Sequence, residues 1–246
     1  MKGIMEELSQ RIEQLKSRLR DSRYIVALTG AGISAESGVP TFRGENGLWK
    51  QYRAEDLATP ESFTRSPKLV WEWYNWRRQL IAPLTYNAAH RALAELEEKF
   101  PHFTLITQNV DGLHKKAGSK NVLEIHGSIW KVRCTACNHI SENYEVPIKI
   151  LPHCKMCGGL LRPHVVWFGE PLPPDVSEET QRALGVCDFL MVIGTSGVVH
   201  PVASFPYYAR AKGAFVVEVN LERTPISPIA HETILGKAGE IVPLFL

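Results

Sequence analysis

The stretch Tyr24-Ile25-Val26-Ala27-Leu28-Thr29-Gly30-Ala31-Gly32-Ile33-Ser34-Ala35, residues 24–35, decides the fold. A short apolar, β-branched run ends in a polar, glycine-rich turn, and the same pattern recurs along the chain. Phe103 to Ile106 runs into Thr107-Gln108-Asn109, Phe189 to Ile193 into Gly194-Thr195-Ser196, and Phe215 to Val219 into Asn220. Runs of this length and content suit buried parallel strands. Between several of them lie helical patterns, such as Ala88 to Lys99 and Ser177 to Leu184. Strands alternating with helices predict an α/β fold built on a doubly wound parallel sheet. Ligands of such sheets sit at the carboxyl ends of the strands, which makes the polar turns the candidate cofactor site.

Glycines in Gly30-x-Gly32-x-x-Ala35 let backbone approach a pyrophosphate, although a short glycine pattern alone often marks only a tight turn. The residues after it are more informative. An ordinary dinucleotide fold continues into a long helix, whereas Gly38-Val39-Pro40 stops this one almost at once. Phe42-Arg43 and two further glycines come next, so a dehydrogenase is disfavoured, and a loop carrying an aromatic and a cation is placed to close over a bound dinucleotide. Taken alone, Arg43 reads as a solvated surface charge.

Cys134-x-x-Cys137 and Cys154-x-x-Cys157, 16 residues apart, have zinc-ribbon spacing. Gly158-Gly159 suits the tight turn of such a knuckle. Four thiolates complete a tetrahedral zinc and leave no position for water, so the metal is structural. His139 and His153 read as surface residues and Cys187 as a buried thiol. The segment from Trp130 to Pro163 breaks the strand–helix rhythm and reads as an insertion. It holds five Lys/Arg against two Asp/Glu, and the whole chain of 246 residues carries a net charge of only +2, so charge does not suggest a nucleic-acid partner. With 44% hydrophobic residues the chain can bury a full core. Ile4, Leu8, Ile12, Leu15 and Leu19 give the first 20 residues the spacing of an amphipathic helix, not of a signal peptide. No run approaches the ~18 apolar residues of a membrane helix. A cytoplasmic protein with no membrane partner is expected.

Gln108-Asn109-Val110-Asp111 gathers two amides and a carboxylate at one strand end, a set able to bond ribose hydroxyls and a carboxamide. The plainer reading is a polar turn with Asp111 capping a helix. His126 follows the run Val122 to Ile125 and precedes Gly127, a strand-end position where a histidine can act as a general base near neutral pH.

Together these segments resemble the sirtuin family, in the same order and at similar spacing, from about Ser22 to Val242. The resemblance implies a Rossmann-like doubly wound domain with a smaller zinc-ribbon and helical domain, and NAD in the cleft between them. The divisions expected are an N-terminal helix at 1–20, the Rossmann-like domain at 21–129 and 164–246 with a helical insertion at about 44–86, and the zinc ribbon at 130–163. Gly30, Ala31, Gly32, Ser34, Glu36, Phe42, Arg43 and Trp49 fall on the family's cofactor loop. Gln108, Asn109, Val110 and Asp111 fall on its ribose and nicotinamide contacts. Gly194, Thr195, Ser196, Asn220, Leu221, Glu222 and Ala238 fall on its phosphate and adenosine contacts. His126 matches the general base, with Asn109 and Asp111 beside it as catalytic residues, and Cys134, Cys137, Cys154 and Cys157 match the zinc ligands. Val166, Phe168, Gly169 and Glu170 match the segment that lines the acyl-lysine tunnel and pairs with an extended peptide by β-strand addition. Thr41, Val110, Gly197 and His200 depart from common family residues without removing a matched catalytic one.

The implied activity is NAD-dependent removal of acyl groups from protein lysines. The acyl oxygen attacks the anomeric carbon as nicotinamide leaves, His126 takes a ribose hydroxyl proton so that the 2′-oxygen attacks the resulting imidate, and water completes release of the amine; the products are nicotinamide, O-acyl-ADP-ribose and free lysine. A protein ADP-ribosyltransferase on the same fold is the first rival, and a non-catalytic zinc-ribbon nucleic-acid binder the second. Nucleic acid is otherwise expected only indirectly, through a substrate that binds DNA. Tyr74 and Arg77, three apart on a predicted helix from Trp71 to Leu80, share a face. Packing by Trp71, Trp73 and Trp76, with Arg77 solvated or stacked on one of them, is the plainer reading. The pair nevertheless resembles that of sirtuins removing acidic acyl groups, and Ala58 matches the small residue that widens their acyl pocket. Succinyl- and malonyl-lysine are therefore expected substrates beside acetyl-lysine.

Overall fold

The computed structural model describes residues 2–42, 47–48 and 52–246. The expectations placed on Arg43 and Trp49, and on the side chain of Ile4, lie outside the described residues. The strands are β1 (Ile25–Thr29), β2 (Phe103–Thr107), β3 (Val122–Glu124), β4 (Gly127–Cys134), β5 (Ile140–Glu142), β6 (Leu161–Val165), β7 (Phe189–Ile193), β8 (Phe215–Asn220) and β9 (Glu232–Leu235). The α-helices are α1 (Lys2–Arg20), α2 (Ala31–Ala35), α3 (Ala54–Leu57), α4 (Pro60–Arg65), α5 (Pro67–Ile81), α6 (Ala88–Lys99), α7 (Leu113–Lys116), α8 (Pro174–Val186), α9 (Phe205–Ala211) and α10 (Ala238–Ile241). Among the described residues, six strands form a parallel sheet of order β3-β2-β1-β7-β8-β9. The expected doubly wound sheet is present.

Strand period explains how the sheet is covered on both sides. Successive side chains of a strand point to opposite faces. In β1, Ile25 and Ala27 join the core on one face with Ile12, Leu15 and Leu19 of α1 and Leu93 of α6. Val26 and Leu28 join the other core, with Leu184 of α8 and Ala209 of α9. Every residue of β1 is therefore buried, which is why it reads as a continuous apolar run. The N-terminal helix is pinned to the sheet edge as well: Arg11 pairs with Glu232 of β9 at 2.6 Å and donates to the Thr233 carbonyl.

A second unit joins α3, α4 and α5 to an antiparallel sheet of order β5-β4-β6. Thr59 and Ser62 close a capping box at the start of α4, with Pro60 in its first turn. Helix α5 is fastened to the sheet and its loops by polar side chains. Trp71 Nε1 donates to the Leu161 carbonyl, the Asn75 amide bonds both backbone groups of Ile148, and Arg78 donates to Asn143 and the Glu145 carbonyl. Trp71, Trp73 and Tyr74 pack with Ile129, Val132 and Cys134 in one core.

Candidate active site

The order of the large sheet reverses between β1 and β7, and the crevice outside their carboxyl ends is where such sheets bind ligands. Gly30 N–H donates to the Ile193 carbonyl and Gly32 N–H to the Gly194 carbonyl, at 3.0 and 2.8 Å. A Cβ on Gly32 would stand 2.8 Å from Gly194 backbone, and one on Gly194 would stand 2.5 Å from the Ile33 nitrogen. The glycines thus serve first to bring two turns into backbone contact, leaving a surface of peptide groups. Helix α2 ends after Ala35, as Gly38-Val39-Pro40 predicts. The rim is stitched together by amides: Gln108 donates to Thr195 Oγ1 and Asn220 to the Thr195 carbonyl, both at 2.8 Å. Ala31 and Ser196 are partly exposed on this rim, and Leu221 and Glu222 are exposed beyond Asn220. Glu36 accepts from the N–H of Gly239, next to buried Ala238, and so ties the glycine turn to α10.

The polar turn after β2 is ordered by its own bonds. Asn109 donates to the Gly30 carbonyl at 3.0 Å and to Ser34 Oγ at 3.1 Å. Asp111 Oδ1 accepts from Leu113 N–H, so it does hold the start of α7, yet it is also buried beside the site. Burial pushes its carboxyl pKa up, against the Leu113 N–H and the Ser34 hydroxyl. Val110 is buried against α5 and β4. His126 lies between β3 and β4, with Nδ1 3.2 Å from the Gln108 carbonyl. A carbonyl can only accept, so Nδ1 carries the proton and Nε2 keeps its lone pair. Burial lowers the His126 pKa, with the bond to Gln108 opposing it, which keeps the ring neutral near pH 7. A neutral imidazole, anchored through one nitrogen and basic at the other, is the requirement for a general base.

Beside it runs the segment Val166 to Glu170. Val166 N–H donates to the His126 carbonyl, and Phe168 N–H to the Ala58 carbonyl, at 2.9 Å each. Gly169 takes a left-handed turn, φ +87°, and Phe168 is exposed. The Glu170 carboxylate is engaged by Arg162 at 2.5 and 2.9 Å and by Trp167 N–H at 2.9 Å, so it shapes the segment from within. Ala58 and Tyr74 belong to the same core. Arg77 is buried rather than solvated, with its guanidinium over the rings of Phe42 at 4.6 Å and Trp73 at 5.2 Å. Among the described residues it makes no ion pair, whereas its neighbour Arg78 reaches two acceptors.

The four paired cysteines converge. Their sulfurs lie within 4.8 Å of one another, with Cys134–Cys157 at 3.4 Å and Cys137–Cys154 at 3.9 Å. Zn–S bonds of about 2.3 Å set tetrahedral sulfurs roughly 3.8 Å apart, so the set fits one zinc. Backbone N–H groups of Ala136, Cys137 and Met156 point at Cys134 and Cys154, as thiolate sulfurs require. His139 and His153 are exposed and Cys187 is buried, as expected.

Two histidines escaped the sequence reading because only burial distinguishes them. His90 Nδ1 accepts the Asn87 N–H, and its Nε2 faces Ser34 Oγ at 3.3 Å. His114 Nε2 meets Thr29 Oγ1, which bonds Thr107 Oγ1, the acceptor for Asn109 N–H. The polar turn therefore rests on a floor of neutral imidazoles. Burial lowers the His90 pKa to about 4 and drives that of His114 down as well. A base that protonates more readily when unfolded leaves stability intact above its ordinary value and removes it as pH falls. For His90 the window runs from about 6.5 to about 4, worth on the order of 3 kcal/mol. Denaturant titrations across this window should show a shallower pH slope for His90→Asn than for wild type. Equal slopes would show that His90 is not held neutral.

Similarity to known proteins agrees with this geometry. Residues 30–201 match the Sir2 family. The chain is 58% identical to an NAD-dependent protein deacylase of Aquifex aeolicus over 216 residues, 87% of this chain and 90% of that one. It is 42% identical to the mitochondrial NAD-dependent protein deacylase sirtuin-5 of Canis lupus familiaris, across 97% of this chain and 86% of that one. Its fold is similar to a solved complex of a Sir2 homologue with NAD, with a TM-score of 0.89 and 50% identity, covering 95% of this chain and 91% of the other.

Proposed function

The chain belongs to the Sir2 family, and from that premise we propose that it removes acidic acyl groups, succinyl and malonyl, as well as acetyl, from protein lysines. It is an NAD-dependent protein deacylase with one structural zinc site. NAD is consumed and supplies the electrophilic ribose carbon. Gly30, Gly32, Gly194, Thr195 and Asn220 hold its phosphates and adenosine side at the switch point. Asn109 and Asp111 orient the ribose and the carboxamide. Nε2 of His126 receives the ribose hydroxyl proton. The acyl-lysine peptide adds as a strand along Val166 to Glu170, where main-chain pairing tolerates many sequences.

Arg77 carries the acidic-acyl reading. A buried cation is costly unless paired, and this one has ring faces but, among the described residues, no anion within ion-pair distance. Burial lowers its pKa, and Tyr74 and Asp111 oppose that. A guanidinium in this state is an unfilled site for a carboxylate, which it grips with two parallel hydrogen bonds. Acetyl-lysine has no carboxylate to offer. Arg77→Met should therefore lower the succinyl-to-acetyl ratio of kcat/KM by about 100-fold. Equal loss on both peptides, or none on either, would show that Arg77 is not the selector. The same reading puts the enzyme in the cytoplasm, supported by cysteines arranged for metal rather than disulfides. No helix of the described residues is long and apolar enough to cross a membrane. Nucleic acid is reached only indirectly, through a substrate that binds it.

A further inference from the structure

Trp167 lies within the segment Val166 to Glu170 with its indole against Tyr74, and the proposed mechanism leaves it without a role. Its indole is 3% exposed and its Nε1 donates to Tyr74 Oη at 2.9 Å. The ring is held on several sides. The Arg162 guanidinium lies over it at 3.4 Å, Phe63 packs at 5.3 Å between centroids, and Glu170 accepts its main-chain N–H while binding Arg162. Such a locked side chain fixes whatever it bonds.

Donor chemistry sets the consequence. An indole N–H can only donate, so the Tyr74 oxygen is the acceptor. A phenol O–H prefers the plane of its ring and has two directions there. With the indole N–H on one of them, the Tyr74 proton is turned to the other. The Tyr74 oxygen thus has its donor, Trp167, but among the described residues no acceptor receives a bond from its O–H, although Tyr74 is 1% exposed. Tyr74 is one helical turn from Arg77, whose guanidinium makes no ion pair among the described residues and feels the Asp111 carboxylate only from beyond ion-pair distance.

We infer that Trp167 is the positioning residue for acidic acyl groups: by donating to Tyr74 it presets the phenol proton to be donated, together with Arg77, to the substrate's terminal carboxylate. Selectivity then has a second layer. Arg77 supplies the charge, and Trp167 removes the alternative in which Tyr74 turns its lone pair to the anion. Because the indole is carried on the peptide-pairing segment, its bond to Tyr74 ties the acyl selector on α5 to the peptide strand. The inference rests on the acidic-acyl reading of Arg77.

The test is the ratio of kcat/KM for succinyl- and acetyl-lysine versions of one peptide, measured on each enzyme preparation so that folded fraction cancels. Trp167→Phe should lower that ratio about tenfold. Incorporating the benzothiophene analogue of tryptophan at 167, which keeps the ring volume and lacks the N–H, should do the same. In a Tyr74→Phe background, Trp167→Phe should have no further effect on the ratio, since the hydroxyl it orients is gone. An unchanged ratio with either replacement, or a further tenfold fall in the Tyr74→Phe background, would overturn the inference while leaving the acidic-acyl reading in place. A wild-type enzyme inactive on succinyl-lysine would instead overturn that reading, and the inference with it.

Discussion

Replacing His126 by alanine should lower deacylation kcat/KM by about 100-fold or more while NAD binding and zinc content stay at wild-type levels. The expectation rests on the anchored tautomer. Nδ1–H donates to the Gln108 carbonyl, so the ring offers Nε2 as a base without rotating. Gln108 also bonds Thr195 across the switch point, so the imidazole is referenced to the cofactor crevice through one residue. Because burial lowers the His126 pKa, the acid limb of the pH–rate profile should fall below the ordinary histidine value near 6.5. His126→Ala should retain no limb of that origin. Near-normal turnover in the mutant would remove the assignment, whatever the geometry.

The second large effect concerns the metal. Cys134→Ser should abolish zinc binding and take activity with it, although zinc does no chemistry. Four sulfurs fill a tetrahedral site, so no water or substrate oxygen has a position on the ion. What the metal holds is packing. Cys134 ends β4 and is fully buried in the core that also contains Trp71, Trp73 and Tyr74 of α5. Structural zinc sites contribute on the order of 10 kcal/mol, more than a small three-stranded sheet can replace. Loss of the ion should therefore melt the small sheet and disturb the packing of α5 against it. Metal analysis with circular dichroism would check this. Full activity in a zinc-free Cys134→Ser protein would contradict it, as would an ion found on three cysteines and a water.

The parallel sheet was legible because β1 and its partners are buried on both faces and so read as unbroken apolar runs. The short α2 was legible because Gly38 and Pro40 punctuate it. The cysteine cluster was legible because its ligands are paired at fixed spacing. What the sequence could not carry was depth. Arg77 and Arg78 are adjacent and chemically identical, yet Arg78 donates through Nη1 to Asn143 and the Glu145 carbonyl of the small unit, while Arg77 is buried against rings. Nothing local in the helix separates them. His90 and His114 likewise look like ordinary helix residues until Ser34 and Thr29 are folded over them. Trp167 shares its segment with the exposed Phe168, and its burial, the Arg162 guanidinium over its ring and the hydrogen bond to Tyr74 set it apart. Each of these depends on contacts between elements far apart in the chain.

Product identification by mass spectrometry bears most directly on the proposed activity. A single peptide is prepared with acetyl-, succinyl- or malonyl-lysine and incubated with and without NAD. Free lysine is expected from all three peptides only when NAD is present, with nicotinamide and the matching O-acyl-ADP-ribose formed in equal amounts. ADP-ribose attached to protein or peptide, with the acyl-lysine intact, would contradict that activity and establish the ADP-ribosyltransferase alternative.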